Sequence, residues 1–448
     1  MENVVDYLML AANNFVIADR PPKKLTNFNE TSAWFAQNEI VYPTMFTPEG
    51  NAIGFKKDGA DAAIALAETL LKTNPEYARG TDFQVLLNAI ATELIKAIRD
   101  GCPYEDNEKF EARIAIWFAK ETEAKTHFIA CSISPYESQS FSVGPVAFRS
   151  LRGFSAAHEI ASKDDFEKFS YGQVLEYAVK QGAHWIAEVQ TEGLDPTRSV
   201  ERADISVDIA LVALQLFIPS SISKEVARST ARTIPSVIGS FQKVRDYLRV
   251  GHTRVDPCFS YSAEYFDQVI GQNRAILDSV GNRVKAFVLG QSTLLKLDQA
   301  WCDAAYWFHE GLSEKLDTVA ITKMETSIEV LLFAESARGC KDRLLKAFQS
   351  FYGLSAKQPL RENDSRTVFD FIDSIVTARS RVLHGTWSTL NYRKPMRNER
   401  QHRDEIELLA RDLLTRYTLQ LDSYKRTEHP EDVFLKFLAW VSTQKTSG

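Results

Sequence analysis

The sequence predicts a mainly α-helical protein with a minor β part, an α+β N-terminal region leading into a C-terminal helical bundle. Three observations carry this. From residue 298 to the end, apolar residues recur at helical spacing in one segment after another. Residues 112–119 and 126–133 are short apolar runs joined by a charged turn, the pattern of two paired strands. A length of 448 residues implies two or three domains. The expected division is an α+β domain with a short sheet over 1–160, a mostly helical region over 161–297, and the bundle over 298–448.

In chain order, Pro21-Pro22-Lys23-Lys24 breaks a mixed first 55 residues. An alanine-rich helix is expected over 61–73, stopped by Asn74-Pro75, and a longer amphipathic one over 82–99. The two strands follow, and 141–148 adds a third. Residues 164–180 form a helix with Ser162 or Asp164 as its cap. Residues 184–189 read as a strand or a helix start. Ile205, Ile209, Val212 and Leu216 mark a strongly amphipathic helix. Segments 222–249 and 262–280 read as helical, and 284–297 as a linker strand or isolated hairpin. In the bundle, helices are expected over 321–332, 342–352, 404–424 and 433–443. No internal repeat or low-complexity tract interrupts the chain.

Bulk composition excludes several classes. The net charge of −6 argues against a chain that is basic throughout, so any nucleic-acid site is local. Cys102, Cys131, Cys258, Cys302 and Cys340 are scattered and odd in number, with no C-x2-C pair. Neither a disulfide framework nor a zinc ribbon is suggested, and reduced thiols fit a cytoplasmic protein. The acidic N-terminus lacks the basic segment of a signal peptide. The longest apolar run, 209–218, is about half a membrane span, which predicts a core helix and no membrane partner.

The stretch with chemistry is Arg379-Ser380-Arg381-Val382-Leu383-His384-Gly385. Its helix is expected to start at Asn363-Asp364-Ser365 and to close at Gly385, which can turn left-handed. Val368, Ile372, Ile375 and Val382 form the buried stripe, and Arg379 lies three turns after Val368 on that same stripe. A guanidinium aimed at apolar packing needs an acid or a bound anion to meet it. Ser380, Arg381 and His384 share a neighbouring polar strip. Arg379 and His384, five residues apart, stand about 140° apart around an ideal helix. Serving one phosphate then needs a long arginine reach, a distorted last turn, or a group from a second subunit.

These residues resemble the HEPN endoribonuclease superfamily, and its Apea-like branch in particular. That branch reads R-S-x-x-x-H-G late in a small helical bundle, as 379–385 does here. It also opens its bundle on a helix bearing a glutamate among aliphatics, the place taken here by Glu329. The resemblance covers roughly 298–425. It implies a metal-independent endoribonuclease of the toxin or antiviral-defence type that needs no cofactor. It implies a homodimer paired through the C-terminal bundle with both motifs on one cleft. The N-terminal region would then sense a phage-derived or protein trigger, or restrain the nuclease.

The residues support that chemistry on their own terms. RNA carries its own nucleophile in the 2′-hydroxyl. Cleavage needs a base for its proton, an acid for the leaving oxygen and cations for the phosphorane. His384 is the base candidate, Arg379 and Arg381 the phosphate binders, and Ser380 a group that orients either phosphate or histidine. Glu329 either anchors Arg379 from the facing helix or holds the histidine. One histidine per motif leaves the acid to a water or a second copy. Between 379 and 403 the bases Arg379, Arg381, Arg393, Lys394, Arg397, Arg400 and Arg403 meet a single acid, Glu399, with Trp387 and Tyr392 among them. Arg393, Lys394, Arg397, Arg400 and Arg403 are therefore the expected RNA-binding residues. Phosphate-loop and hydrolase-elbow motifs are absent. His184 with Glu188, and His309 beside Trp301 and Trp307, read as packing or capping groups. The competing reading is a non-catalytic RNA-binding or dimerisation module.

Overall fold

Alanine stripes and a helical return segment assemble the first part of the chain in the computed structural model. The structure describes residues 2–19, 27–46, 51–99, 107–231, 237–244, 247–254, 259, 262–361, 365–385 and 397–446. The chain divides into two units, Met1–Lys125 with Thr191–Glu201, and Thr126–Gln190 with Arg202–Gly448. The first unit holds α1 (Glu2–Asn13), β1 (Phe15–Ala18), α2 (Phe28–Gln37), β2 (Val41–Phe46), β3 (Ala52–Phe55), α3 (Lys57–Thr73), α4 (Pro75–Gly80), α5 (Phe83–Arg99) and α6 (Asn107–Glu121). Ala60, Ala63, Leu66, Ala67 and Leu70 form the buried face of α3, small enough for close helix packing. The strands make an antiparallel sheet in the order β1-β3-β2. Asn74 caps α4 through its side chain, with Pro75 in the first turn. Residues 191–201 close this unit: the Asp195 N–H donates to the Gly80 carbonyl at 2.7 Å, and the Arg198 guanidinium to the Ala78 and Arg79 carbonyls at 2.9 and 2.8 Å.

The second unit begins with β4 (Lys125–Ser132), β5 (Phe141–Val143), β6 (Val146–Ser150), α7 (Leu151–Ala157), α8 (Asp165–Lys180) and β7 (Trp185–Thr191). It continues through α9 (Pro196–Phe217), α10 (Ser220–Ser223), β8 (Ala227–Arg228), β9 (Val237–Val244), β10 (Tyr247–Arg254), α11 (Ala263–Gln272) and α12 (Arg274–Leu289). The bundle helices are α13 (Leu295–Leu312), α14 (Asp317–Leu331), α15 (Ala337–Tyr352), α16 (Val368–Leu383), α17 (Arg397–Tyr424) and α18 (Phe434–Thr446). Five strands pair in the order β5-β6-β7-β4-β8, and β9 and β10 form a separate antiparallel hairpin. Strand alternation decides which core each residue joins. Trp185, Ala187 and Val189 face the large core that runs on into α9, α12 and the bundle, while Ile186 joins a small core with Phe154 and Ala178. One large core therefore holds residues from both sides of positions 160 and 297.

Local expectations fail where two periods compete. Residues 112–119 lie inside α6, not in a strand: Phe110 and Ile114, one turn apart, are buried, and Ile116 is 71% exposed. Segment 222–249 ends in β8 and β9 instead of a helix. Residues 284–297 are not a strand: they finish α12, which Gly290 closes at φ 63°, and open α13. Residues 184–189 resolve as strand β7. The helices over 61–73, 82–99, 164–180, 262–280 and the four bundle segments are all present, with ends shifted by a few residues. No described helix is long and apolar enough to cross a membrane.

Two features brace the second unit. The first is a buried charge network. Arg283 is fully buried, with Asp298 Oδ1 and Asp422 Oδ1 each 2.6 Å from its guanidinium. Lys425 Nζ meets Asp298 Oδ2 at 2.6 Å, so the inward cation is matched by acids from α13 and α17. The second is the contact of Gly144, at φ 58° in the β5–β6 turn, with Gly281 of α12. A Cβ on Gly281 would lie 2.4 Å from the Gly144 nitrogen, too close for any side chain. Gly281→Ala is therefore expected to lower the melting temperature. Gly172→Ala in α8, where nothing lies within 4 Å of the added Cβ, raises stability by up to about 1 kcal/mol, the ordinary helical preference for alanine. Thermal unfolding of the two variants checks the contrast.

Candidate functional site

α16 carries the motif, and its ends are set by local sequence. Thr367, not the Asn363-Asp364-Ser365 segment, is the N-cap. Its side chain accepts from the Asp370 N–H and the Asp370 carboxylate accepts from the Thr367 N–H, each at 3.1 Å, a complete capping box. Asn363 and Asp364 lie outside the described residues. The bonds from Thr367 hold the Asp370 carboxyl below its usual range. At the other end the His384 N–H reaches the Ser380 carbonyl at 2.9 Å. Gly385, at φ 69°, takes the left-handed closure and bonds the Val382 carbonyl at 3.0 Å.

Val368, Ile372 and Ile375 are buried on the stripe expected from their spacing. Arg379 follows them inward and meets α14. Its Nη1 contacts Glu329 Oε2, and its backbone N–H donates to Glu325 Oε2 at 3.1 Å. Glu329 thus takes the role of anchor for Arg379 from the facing helix. Arg379 still keeps 31% of its side chain exposed, so the guanidinium lies between core and solvent. Lys341 of α15 pairs with Asp373, and Arg366 reaches Glu405 of α17 at 2.9 Å. Charged contacts with α14 and α15 therefore fix α16, and Arg366, just ahead of its N-cap, ties the entry of the helix to α17. Ser380, Arg381, Leu383 and His384 are exposed beyond the last of these contacts.

Glu325 was not singled out by its sequence position, yet it is the most perturbed carboxyl at the site. It is 1% exposed. Burial, then the charge of Glu329, push its pKa up to about 9, against the opposing pull of Arg379. The Cys340 thiol of α15 is pushed up to about 12 by burial and by the same two glutamates, which makes it an inert packing thiol. His402, half-buried near the start of α17, is a second missed group. Burial lowers its pKa; Glu405 opposes that, and the positive charges of Arg381 and Arg366 add to it. The signals in sequence were the i, i+4 spacing of Glu325 and Glu329 and a second histidine in the basic stretch. Neither decides which way a side chain faces.

The basic surface is brought together only in part. Arg403 turns inward: its guanidinium meets Asp317 Oδ1 at 2.9 Å and the Leu312 carbonyl at 3.2 Å, with 10% of the side chain exposed. Arg403 is thus directed at the α13–α14 connection and is not grouped with the exposed residues at the end of α16. Arg393, Lys394, Trp387 and Tyr392 lie outside the described residues, as do the side chains of Arg397 and Arg400 in the first turn of α17. Elsewhere, His309 is fully buried with Nδ1 3.0 Å from Gln215 Oε1, a packing role. Glu188 faces Arg149 and His158 at 3.3 and 3.1 Å. Among the described residues no three His, Cys, Asp or Glu side chains gather as a metal-ligand set.

No protein-family model matches the chain, and neither a curated protein nor a solved structure matches it.

The inward and outward arginines separate by substitution. Arg403→Ala removes a largely buried guanidinium that bonds both Asp317 and the Leu312 carbonyl, and is expected to cost about 3 kcal/mol of stability. Arg381→Ala, at an exposed position, changes stability by no more than about 0.5 kcal/mol. Denaturant titration of both variants reads the difference.

Proposed function

We propose that the protein is a metal-independent endoribonuclease of the HEPN type, built on Arg379 and His384. The observation that carries the reading is Arg379 held at the core–solvent border by Glu329, one and a half turns before an exposed histidine that ends the same helix. An arginine kept charged and oriented by a carboxylate suits bidentate contact with a phosphate. An exposed imidazole five residues further along the same helix suits proton transfer.

In this reading His384 takes the proton of a ribose 2′-hydroxyl. The O2′ forms a bond to the adjacent phosphorus, and the bond from phosphorus to O5′ breaks. The products are a 2′,3′-cyclic phosphate and a 5′-hydroxyl. Arg379 and Arg381 neutralise the phosphorane, and Ser380 orients the phosphate or the histidine. The leaving O5′ takes its proton from a second group. A second copy of the chain, paired through the C-terminal bundle, supplies that group with its own His384. The reading is of a cytoplasmic enzyme of the toxin or antiviral-defence class. The residues before the bundle serve as sensor or restraint for a phage-derived or protein trigger.

Incubation of RNA with the protein in EDTA tests the chemistry. Wild type is expected to cut and to leave 2′,3′-cyclic ends, with DNA intact. His384→Ala lowers the rate by about a hundred- to ten-thousand-fold. Cleavage that depends on an added divalent metal overturns the mechanism. Mixing wild type with His384→Ala protein tests the shared cleft: activity falls as the square of the wild-type fraction if one site needs the histidines of two chains, and in simple proportion to it if each chain works alone. The Arg379–Glu329 pair also favours a second reading, in which both groups are structural and the bundle binds RNA without cutting it. Unchanged RNA affinity in His384→Ala, with no cut product from any RNA, selects that reading.

A further inference from the structure

Glu325 and Glu329 stand one turn apart on α14 and both meet Arg379 of α16. They play different parts. Glu329 contacts the Arg379 side chain, whereas Glu325 accepts the Arg379 backbone N–H. The remaining oxygen of Glu325, Oε1, is buried with no hydrogen-bond partner, and so is Arg379 Nε. An ionised carboxylate in that position would leave a buried charge half-solvated, a costly state.

We propose that Glu325 is a positioning residue of the site, kept as the uncharged acid so that Glu329 alone balances Arg379 and the guanidinium keeps a positive face toward the scissile phosphate. This rests on the endoribonuclease reading of the site. With Glu325 neutral, one carboxylate meets one guanidinium, and the backbone bond fixes α16 against α14 without adding charge. With Glu325 ionised, two carboxylates meet one guanidinium, and an incoming phosphate faces net negative charge. The groups that set its charge are Glu329 on its own helix and Arg379 on α16. Glu325 in turn acts with Glu329 on Cys340 of α15. Among the described residues α13 and α17, which also pack on α14, add no charged group that shifts it.

Two measurements on the full chain test the proposal, using Glu325→Gln as a fixed copy of the neutral acid. The first needs no RNA. Glu325 binds its proton more tightly folded than unfolded, so between its ordinary value of 4.5 and about 9 the folded chain holds a proton that the unfolded chain releases. Wild-type stability from this group is therefore lost as pH rises across that window, and Glu325→Gln loses none. The melting temperature of the variant, relative to wild type, is expected to climb from pH 5 to pH 9. A gap that stays flat overturns the proposal.

The second measurement is affinity for a single-stranded RNA whose 2′-hydroxyls are methylated, followed from pH 7 to 10. Wild type is expected to weaken by about tenfold relative to Glu325→Gln as pH passes 9. The divergence vanishes when Arg379→Ala is added to both chains. Parallel profiles with Arg379 in place overturn the positioning role. Divergent profiles in a protein that never cuts unmodified RNA support the role of Glu325 and overturn the nuclease reading. Cleavage with parallel profiles does the reverse. A chain that binds no RNA at any pH overturns both.

Discussion

The contact between Arg379 and the two glutamates of α14 is the constraint on which the exposed end of α16 depends. A helix that packs a stripe of valine and isoleucine into a core has little to fix its rotation or its register. One arginine at the end of that stripe supplies both, because a guanidinium and a backbone N–H must each find their own carboxyl. The pair Lys341 with Asp373 holds the same helix from α15, and Arg366 with Glu405 ties the residues just ahead of it to α17. What is left beyond them is a short exposed turn, Ser380 to Gly385, whose direction is dictated by the buried part.

The same device recurs elsewhere in the unit. Arg283 is matched by Asp298 and Asp422, and Arg403 by Asp317. In each case a cation that reads as surface charge in the sequence is spent inside. Removing an acid from such a pair leaves a buried charge, so each pair ties two helices more firmly than its net energy suggests. A chain with net charge −6 can afford a local positive surface only from arginines that are not already engaged this way. Local counting of basic residues overstates that surface, as Arg403 demonstrates.

Much of the fold was legible where one period dominated. The stripe of α16, the alanine face of α3 and the amphipathic α9 follow directly from spacing, as does the left-handed closure at Gly385. The partner of Arg379 was legible too, since an inward guanidinium demands an acid and Glu329 stands among aliphatics. Failures arose where tertiary packing chooses between two patterns. Ile114 and Ile116 alternate like a strand, yet only Ile114 has a core to enter. Residues 284–297 look strand-like because both helices they join are buried on broad faces. Glu325 was invisible for a different reason: its importance lies in being starved of water, a property of three neighbouring helices and not of its own segment. The division of the chain into its two units is not legible locally, because strands β4 and β7 are far apart in sequence but lie side by side in one sheet.

That division has a consequence for how the protein is made. The first unit is completed by 191–201, whose backbone and Arg198 satisfy the carbonyls of 78–80. On the ribosome its helices emerge long before this closing segment does, and β4 to β7 of the other unit are translated in between. The first unit cannot be completed until residues 126–190 of the second have been made. A single proteolytic nick at residue 125 would not free the first unit as an intact piece, and a fragment starting at 126 would carry a stranded, partnerless strap.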